Sequence, residues 1–365
     1  MLQNSFVTYW TTCCLEPRIE AISREVEILA GHFQPSRIIG INPHYRFRLS
    51  WKYHTLGFNP RFDPFCRPII SSLERFTKIN HVYGDITPWI FHKTLSRRPI
   101  VHTIASDKGR PVVDFLNRCN HLVAQTQFSQ EKLFQAGCDP QRVHVIYPGV
   151  DLDIFTPINA KYNGAKPKIL FATAPREEHE LTERGVYLLL EAARACPEIQ
   201  FSLLFRKWRT GYTSMKAVED NLAANPASNI TLTNEAVQNM AEMFQRHHFT
   251  IIPFTSPAGG KECPNSMVES MACGIPALVS TCAPIAKFVD QTSSGVCFDP
   301  NVPSLLRAID EGMSRWDSLS SNARKVAEKY FSLDAVLNSY AALYDSAIQE
   351  GPIANRRAAD SRGAL

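Results

Sequence analysis

Short runs rich in β-branched and aromatic residues alternate with longer stretches of three-and-four apolar spacing along nearly the whole chain. In the first half, Ser5–Trp10, Arg37–Ile41, Ile79–Tyr83, Ile100–Ile104, Leu122–Gln125 and Val143–Ile146 read as strands. Helices are expected between several of them, at Glu16–Phe33, Pro88–Leu95 and Ser129–Ala136. In the first of these, Ile19, Ile22, Val26 and Leu29 form one apolar face, and Gly137 supplies a C-cap after the third. Past a polar break the alternation restarts. Strands are expected at Lys168–Thr173, Gln200–Phe205, Ile230–Thr233, Phe249–Phe254, Ala277–Ser280 and Gly295–Phe298, with helices at Gly185–Ala195, Glu235–Gln245 and Ser266–Cys273 among the stretches between. The chain closes on two helical patterns, Leu319–Tyr330 and Leu333–Ile348. The second carries Val336, Leu337, Tyr340, Leu343, Tyr344 and Ala347 on its apolar face.

Strands alternating with helices give parallel sheets covered on both faces. The expected fold is therefore α/β: two Rossmann-like, doubly wound parallel-sheet domains facing a cleft, with C-terminal helices. The first domain is placed at residues 1–157. A linker follows at 158–167, where Asn, Gly, Lys and flanking prolines interrupt the apolar period. The second domain is placed at 168–330. A helix at 331–349 is expected to pack back on the first domain, and 350–365, without an apolar stripe, to form a flexible tail.

At 365 residues the chain has room for two domains of ~150 residues each. Its hydrophobic share of 44%, with 21 Phe, supports real cores and excludes disordered, collagenous and coiled-coil classes. Lys and Arg exceed Asp and Glu by 39 to 35, a net charge of +4, which admits anionic ligands without demanding nucleic acid. Of ten cysteines, Cys13 and Cys14 are adjacent and the rest scattered, with no C-x-x-C pair. That pattern fits reduced, mostly buried thiols in a cytoplasmic protein. Met1–Trp10 lacks a secretory pattern, and no apolar run approaches the ~20 residues of a membrane span. A soluble protein is expected, with peripheral contact at the inner membrane face as a further reading.

Candidate chemistry concentrates in Phe249–Ser280. A strand runs into a loop with Pro257, Gly259 and Gly260. A helix then opens at Asn265 or Ser266, both good N-cap types, and Gly274 and Pro276 end it. Loops at the carboxyl ends of parallel strands line ligand crevices, and a helix N-terminus there offers N–H groups to a phosphate. Glu269 is placed to accept hydroxyl hydrogen bonds, as from a ribose. The competing reading makes Glu262 and Glu269 solvated charges favoured at a helix start. A Gly-Gly loop, a Pro-Asn-Ser turn, a Glu and a Gly-Ile-Pro exit, in order between two strands, tip the balance towards function.

On these residues the chain resembles the family 4 glycosyltransferases, a retaining group with the two-Rossmann GT-B fold. CPNSMVESMACGIPALVS (Cys263–Ser280) resembles their nucleotide-sugar signature. RVHVIYPGVDLDIFTP (Arg142–Pro157) is similar to the strand and turn that close their first domain, and VAQTQFSQEKLFQAGCDPQ (Val123–Gln141) to the unit before it. With RGVYLLLEA (Arg184–Ala192), the resemblance spans about Leu122 to Ala342 and is strongest in the second domain. It implies retaining transfer of a sugar from a nucleotide-diphosphate-sugar donor to a hydroxyl acceptor, whether glycan, lipid-linked or small molecule, in polysaccharide or glycoconjugate biosynthesis. The diphosphate leaving group would serve as its own base, with no metal and no other cofactor. Glu269 would hold the donor ribose, and the backbone of Asn265, Ser266 and Met267, with Gly260 in the same loop, would receive the phosphates. Arg184 would pair with the diphosphate, and Arg176, in the loop APREEHELTER, would be the second basic residue. Fixed guanidinium groups suit the charge that develops on a departing diphosphate. A surface salt bridge with glutamate neighbours is the competing reading for each.

Several positions depart from the family pattern. Its paired glutamates stand eight apart, but the residue eight before Glu269 is Lys261, and Glu262 stands seven before. Either Glu262 serves the sugar through a shifted loop, or the sugar meets Lys261. Phe205-Arg206-Lys207-Trp208 replaces a Gly-rich turn, so Arg206 and Lys207 either take over phosphate contacts or end an exposed loop. The first loop, Thr11–Pro17, has no glycine. Ala105-Ser106 stand where many members have a histidine, and His102, inside the strand, reads as a packed residue. His44–Lys78 interleaves basic and aromatic residues, which suits an anionic membrane, a phosphorylated acceptor, sugar rings or single-stranded nucleic acid, and equally a decorated surface loop. The expected partners are a nucleotide-sugar donor, a hydroxyl acceptor and an anionic membrane surface, without nucleic acid. Two alternatives stand beside the enzyme: a non-catalytic relative binding nucleotide or glycan, and a basic-surface RNA or membrane adaptor.

Overall fold

The computed structural model describes residues 5–12, 15, 20–41, 47–50, 52–59, 63–87, 91–106, 111–157, 166–173, 175–205, 213–235 and 237–353. The chain forms two compact units, Met1–Tyr147 with Val336–Leu365, and Pro148–Ala335. In the first, the strands are β1 (Ser5–Thr11), β2 (Ser36–Ile41), β3 (Phe47–Ser50), β4 (Thr55–Phe58), β5 (Thr77–Asp85), β6 (Ile100–Ser106), β7 (His121–Ala124) and β8 (Val143–Val145). They make one sheet in the order β3-β4-β2-β1-β5-β6-β7-β8. All neighbours run parallel except β3 and β4. Helices α1 (Ala21–His32), α2 (Asp63–Glu74), α3 (Phe91–Thr94), α4 (Val113–Leu116) and α5 (Gln127–Gln135) lie between strands. β2 and β7 are buried along their whole length, as strands covered on both faces must be, which is why they read as unbroken apolar runs.

Part of the basic aromatic stretch corrects the surface-loop reading. β3 and β4 form an antiparallel edge, and α2 sends Cys66, Ile70 and Leu73 into the core beside Trp10, Val82 and Phe91. Four-residue strands give too short an alternation to detect, and Pro68 inside α2 disguises its three-and-four spacing. α1 starts at Ala21, later than Glu16, with Glu20 in extended backbone at its N-cap.

The second unit holds β9 (Lys168–Phe171), β10 (Gln200–Leu204), β11 (Ile230–Thr233), β12 (Phe249–Ile252), β13 (Ala277–Ser280) and β14 (Gly295–Phe298). Its helices are α6 (Glu180–Glu183), α7 (Val186–Ala195), α8 (Ser214–Ala224), α9 (Met240–Gln245), α10 (Asn265–Ala272), α11 (Ala286–Thr292), α12 (Val302–Ser314) and α13 (Trp316–Val326). The sheet is parallel throughout, in the order β11-β10-β9-β12-β13-β14. Strand order reverses between β9 and β12, so the carboxyl ends of these two strands are the topological switch point, where open α/β sheets take their ligands.

The chain changes unit at Tyr147–Pro148, earlier than the expected boundary at 157. The reason is hydrogen bonding. The Val150 amide donates to the Phe331 carbonyl (2.7 Å), the Leu333 amide to the Val150 carbonyl (3.2 Å), and Arg324 Nη1 to the Phe155 carbonyl (3.0 Å). Residues 158–165 of the expected linker and 354–365 of the expected tail lie outside the described residues.

α14 (Leu333–Glu350) belongs from Val336 onward to the first unit. Its Tyr344 hydroxyl lies 3.3 Å from that of Tyr9 and 2.6 Å from His81 Nδ1. Tyr340 reaches Thr103 Oγ1 at 3.0 Å, and Thr103 in turn meets His81 Nε2 at 2.8 Å. No helix among the described residues is long and apolar enough to cross a membrane.

Candidate functional site

Two loops leave the switch point of the second sheet. One follows β9 and leads through α6 into α7; the other follows β12 and leads into α10. They are fastened to each other. The Thr255 amide donates to the Glu183 carbonyl (2.9 Å), and Thr255 Oγ1 to the Thr182 carbonyl (2.9 Å). Gly185 makes this approach possible. Its φ of +70° is left-handed, and a β-carbon there would stand 1.8 Å from the Pro253 carbonyl oxygen. Gly259 is equally required, since its β-carbon would come within 2.5 Å of the Glu183 carbonyl. A β-carbon at Gly260 would stand 2.7 Å from Cζ of the Phe254 ring.

α10 opens at the end of the second loop. Its N-cap is Pro264 in extended backbone, not Asn265 or Ser266 as their cap preference suggests. The Asn265 side chain is engaged elsewhere, accepting from Lys261 Nζ at 2.6 Å. The Met267 and Val268 amides both donate to the Pro264 carbonyl (3.0 and 3.2 Å), and the Met267 side chain is fully buried. Ser266 is 8% exposed, and its hydroxyl has no hydrogen-bond partner among the described residues. Glu269, one turn further, is also 8% exposed, and Glu262 in the loop is 4% exposed. Burial, with a smaller contribution from Glu269, pushes the Cys273 thiol up to about 12, with Arg324 opposing. At the other end Gly274 (φ +72°) closes the helix, and Arg324 Nη1 donates to the Ala272 carbonyl (2.7 Å). The helix is thus held at its C-terminus, with its positive dipole end at the switch point.

Arg184 is the fixed cation of the first loop. Its Nη1 donates to the Thr173 carbonyl at 3.3 Å, and its Nε lies 3.4 Å from Glu180 Oε2. The same Glu180 oxygen accepts from the Arg176 amide at 2.6 Å, so one carboxylate joins both arginines. Thr173 is itself buried, with its hydroxyl unpartnered among the described residues. Arg206 and Lys207 lie outside the described residues. His102 is buried inside β6, and its Nε2 meets the Asp85 carbonyl at 3.2 Å.

The chain carries an Asp-x-Asp triplet, Asp151–Asp153, of the kind that can hold a metal. Asp151 Oδ1 instead accepts from the amides of Asp153 (3.0 Å) and Ile154 (3.4 Å) and caps its own turn. Among the described residues, no group of three or more His, Cys, Asp or Glu is arranged to hold a metal ion.

Residues 166–314 match the family model described as Glycosyl transferases group 1, and residues 23–154 the model described as Glycosyltransferase Family 4. Both are models of glycosyltransferases, and together they take in most of the chain. The D-inositol 3-phosphate glycosyltransferase of Geodermatophilus obscurus is 25% identical to this chain over 253 residues, 66% of this chain and 55% of that protein. The chain thus spans about half the length of the curated relatives it matches. The glycosyltransferase of Rickettsia africae superposes with a TM-score of 0.74 at 15% identity, covering 94% of this chain and 99% of its own. HepE of Anabaena, solved in complex with UDP and glucose, gives 0.72 at 14% identity, covering 93% and 99%. The fold is GT-B.

The structure places Arg184, the glycine loop and α10, all expected from the sequence, on the two loops that leave the switch point. Sequence reasoning missed Glu180, Thr173 and the contact of Gly185 with Pro253. The glutamate-rich loop between Arg176 and Arg184 was the available signal for Glu180. Nothing in the one-dimensional pattern announces that a strand-end carbonyl will lie against Gly185.

Proposed function

We propose that the chain is a retaining glycosyltransferase that moves a sugar from a nucleotide-diphosphate-sugar to a hydroxyl of a glycan, a lipid-linked saccharide or a small molecule. The observation that carries this reading is the Ser266 hydroxyl, buried without a partner among the described residues in the first turn of α10, at a switch point that also presents Arg184. A buried hydroxyl left unpaired costs about 1–3 kcal/mol, and a phosphate oxygen lodged there would satisfy it. That oxygen would also meet the positive end of the helix. In this reading the diphosphate sits between the start of α10 and the guanidinium groups of Arg184 and Arg176, while Glu269 accepts from the ribose hydroxyls. Lys261, held on Asn265, adds charge on the phosphate side, which leaves buried Glu262 for the donor sugar.

Rupture of the sugar–phosphate bond leaves negative charge on the diphosphate, and preorganised donors lower the barrier by meeting it. The same diphosphate oxygen takes the acceptor proton on the face from which it departs, so the anomeric configuration is kept without a pair of carboxylates at glycosidase spacing. Guanidinium groups and a helix terminus supply the positive charge, and turnover is expected to survive chelation of divalent metals. The binding of UDP and glucose by HepE, and the sugar-transfer name of the inositol 3-phosphate relatives, support the donor class and a hydroxyl acceptor. Peripheral contact with an anionic membrane is the finer part of the proposal, motivated by exposed Leu49 and Lys52 in the basic aromatic stretch.

The test is calorimetry with UDP, GDP, ADP and their sugars, followed by a donor-hydrolysis assay on the wild type and on Glu269→Ala. The variant should keep its fold and lose turnover. Unchanged turnover sinks the proposal, and tight nucleotide binding without any product would favour a non-catalytic relative.

A further inference from the structure

We infer that Glu180 is a positioning residue for the donor diphosphate: its carboxylate sets the Arg184 guanidinium and the Arg176 backbone in one fixed arrangement. The inference rests on the nucleotide-sugar reading above and adds to it a residue that touches no substrate.

The geometry is a clamp with two jaws. On one side Glu180 Oε2 lies 3.4 Å from Arg184 Nε, and on the other the Thr173 carbonyl accepts from Arg184 Nη1 at 3.3 Å. The jaws come from different elements, α6 and the end of β9, so together they restrict where the guanidinium can point. The Arg176 amide donates to the same Glu180 oxygen at 2.6 Å, which ties the path of the first loop to the clamp.

The clamp does not depend on Arg184 for its own position. Ser214 Oγ donates to the Pro175 carbonyl (3.0 Å), and the Glu178 amide donates to Thr213 Oγ1 (3.0 Å). Thr213 Oγ1 donates in turn to Glu177 Oε2 (3.1 Å), so the loop is stitched to the start of α8. Two other pairs at the same spacing look different. Lys216–Asp220 has side chains 78% and 65% exposed, and Arg315–Glu311 49% and 51%, where water and salt weaken the attraction. The side chains of Arg184 and Glu180 are 20% and 21% exposed.

A long arginine side chain that must be found in one orientation at the moment of bond breaking is slowed by every other rotamer it visits. Preorganisation of this kind is felt in the chemical step more than in ground-state binding. The carboxylate also offsets part of the positive charge gathered by Arg176, Arg184 and Lys261 before the donor arrives.

Donor hydrolysis by purified full-length protein tests this. Glu180→Ala should lower kcat about tenfold while KM for the donor moves less than about threefold and Tm is unchanged. Glu180→Gln, which keeps an acceptor oxygen for the Arg176 amide but removes the charge facing Arg184, should recover part of the loss. In an Arg184→Ala background, Glu180→Ala should cost clearly less than it does alone, because only its hold on the Arg176 amide is left to lose. Wild-type kcat in Glu180→Ala, no recovery in Glu180→Gln, or a full additional loss in the Arg184→Ala background would each overturn the assignment. A wild type that neither binds UDP, GDP or ADP nor cleaves their sugars overturns the parent reading and this one with it. A working wild type indifferent to Glu180 overturns this one alone.

Discussion

In the first unit, one set of buried polar groups closes on itself, although the Thr8 hydroxyl in β1 is buried there without a partner among the described residues. Tyr9, His81, Thr103, Tyr340 and Tyr344 form a chain of hydrogen bonds under α14, and Tyr83 and Gln125 both donate to Glu25 Oε2 at 2.6 and 2.8 Å. Even at that sheet's own switch point, between β1 and β5, Thr12 Oγ1 donates to Asp85 Oδ2 at 3.1 Å. In the second unit the hydroxyls buried without a partner among the described residues include Thr250 inside β12 and, at the switch point, Ser266 and Thr173. A closed network stiffens a fold and selects one packing, whereas hydroxyls left over at a strand-end crevice favour a guest that brings the missing oxygens.

The sharpest test of that contrast is Arg184→Ala. Donor hydrolysis should fall by about 10²–10³-fold, as when a preorganised donor to a developing anion is removed, with little change in unfolding temperature. A comparable rate in the variant would remove the functional half of the comparison.

Acid should expose what the units share. Burial lowers His102 from its ordinary value near 6.5 to about 4 and holds His81 well below that ordinary value, with His102 adding to the effect on His81. In the second unit burial, Lys168 and His247 lower His248 to about 4. These imidazoles stay neutral when folded and take up protons when unfolded, so their contribution is complete above about pH 6.5 and is lost as pH falls towards 4. His102 alone accounts for about 3 kcal/mol of that loss. Hydrogen exchange at pH 7.5 and 4.5 should show faster opening of β5, β6 and β12 in acid. Protection of β5 and β6 that does not change with pH would mean their histidines are not held neutral.

Tyr344→Phe and Ser266→Ala should separate the units by the sign of their effects. Removing the Tyr344 hydroxyl leaves His81 Nδ1 buried without its 2.6 Å partner, so the fold should lose about 1–2 kcal/mol in urea unfolding while nucleotide affinity stays the same. Removing the Ser266 hydroxyl deletes a group that has no partner to lose among the described residues, so stability should hold or rise by up to about 1 kcal/mol while UDP affinity weakens severalfold. If both variants shift stability alike and neither touches affinity, the distinction between the two networks fails.

Much of the parallel framework was legible because its strands are buried on both faces and read as compact apolar runs, such as Ile100–Ile104 and Ala277–Ser280. β3 and β4 were not, because an edge strand of four residues carries little periodic signal. α9 begins at Met240, after Asn239 Oδ1 caps the Glu242 amide (3.1 Å), a stop that the longer reading from Glu235 passed over. The site divides in the same way. α10 and its glycine loop follow from local chemistry, but the clamp on Arg184 joins the end of β9 to α6 and depends on a turn that only the folded chain defines.

Gly185 and Gly259 also bear on engineering. Because each lets its loop lie in backbone contact with the other, the stretch from Thr173 to Gly185 and the stretch from Pro253 to Asn265 form a single cassette. Anyone transplanting one of them from a homologue to change donor preference will have to carry the other across as well, glycines included.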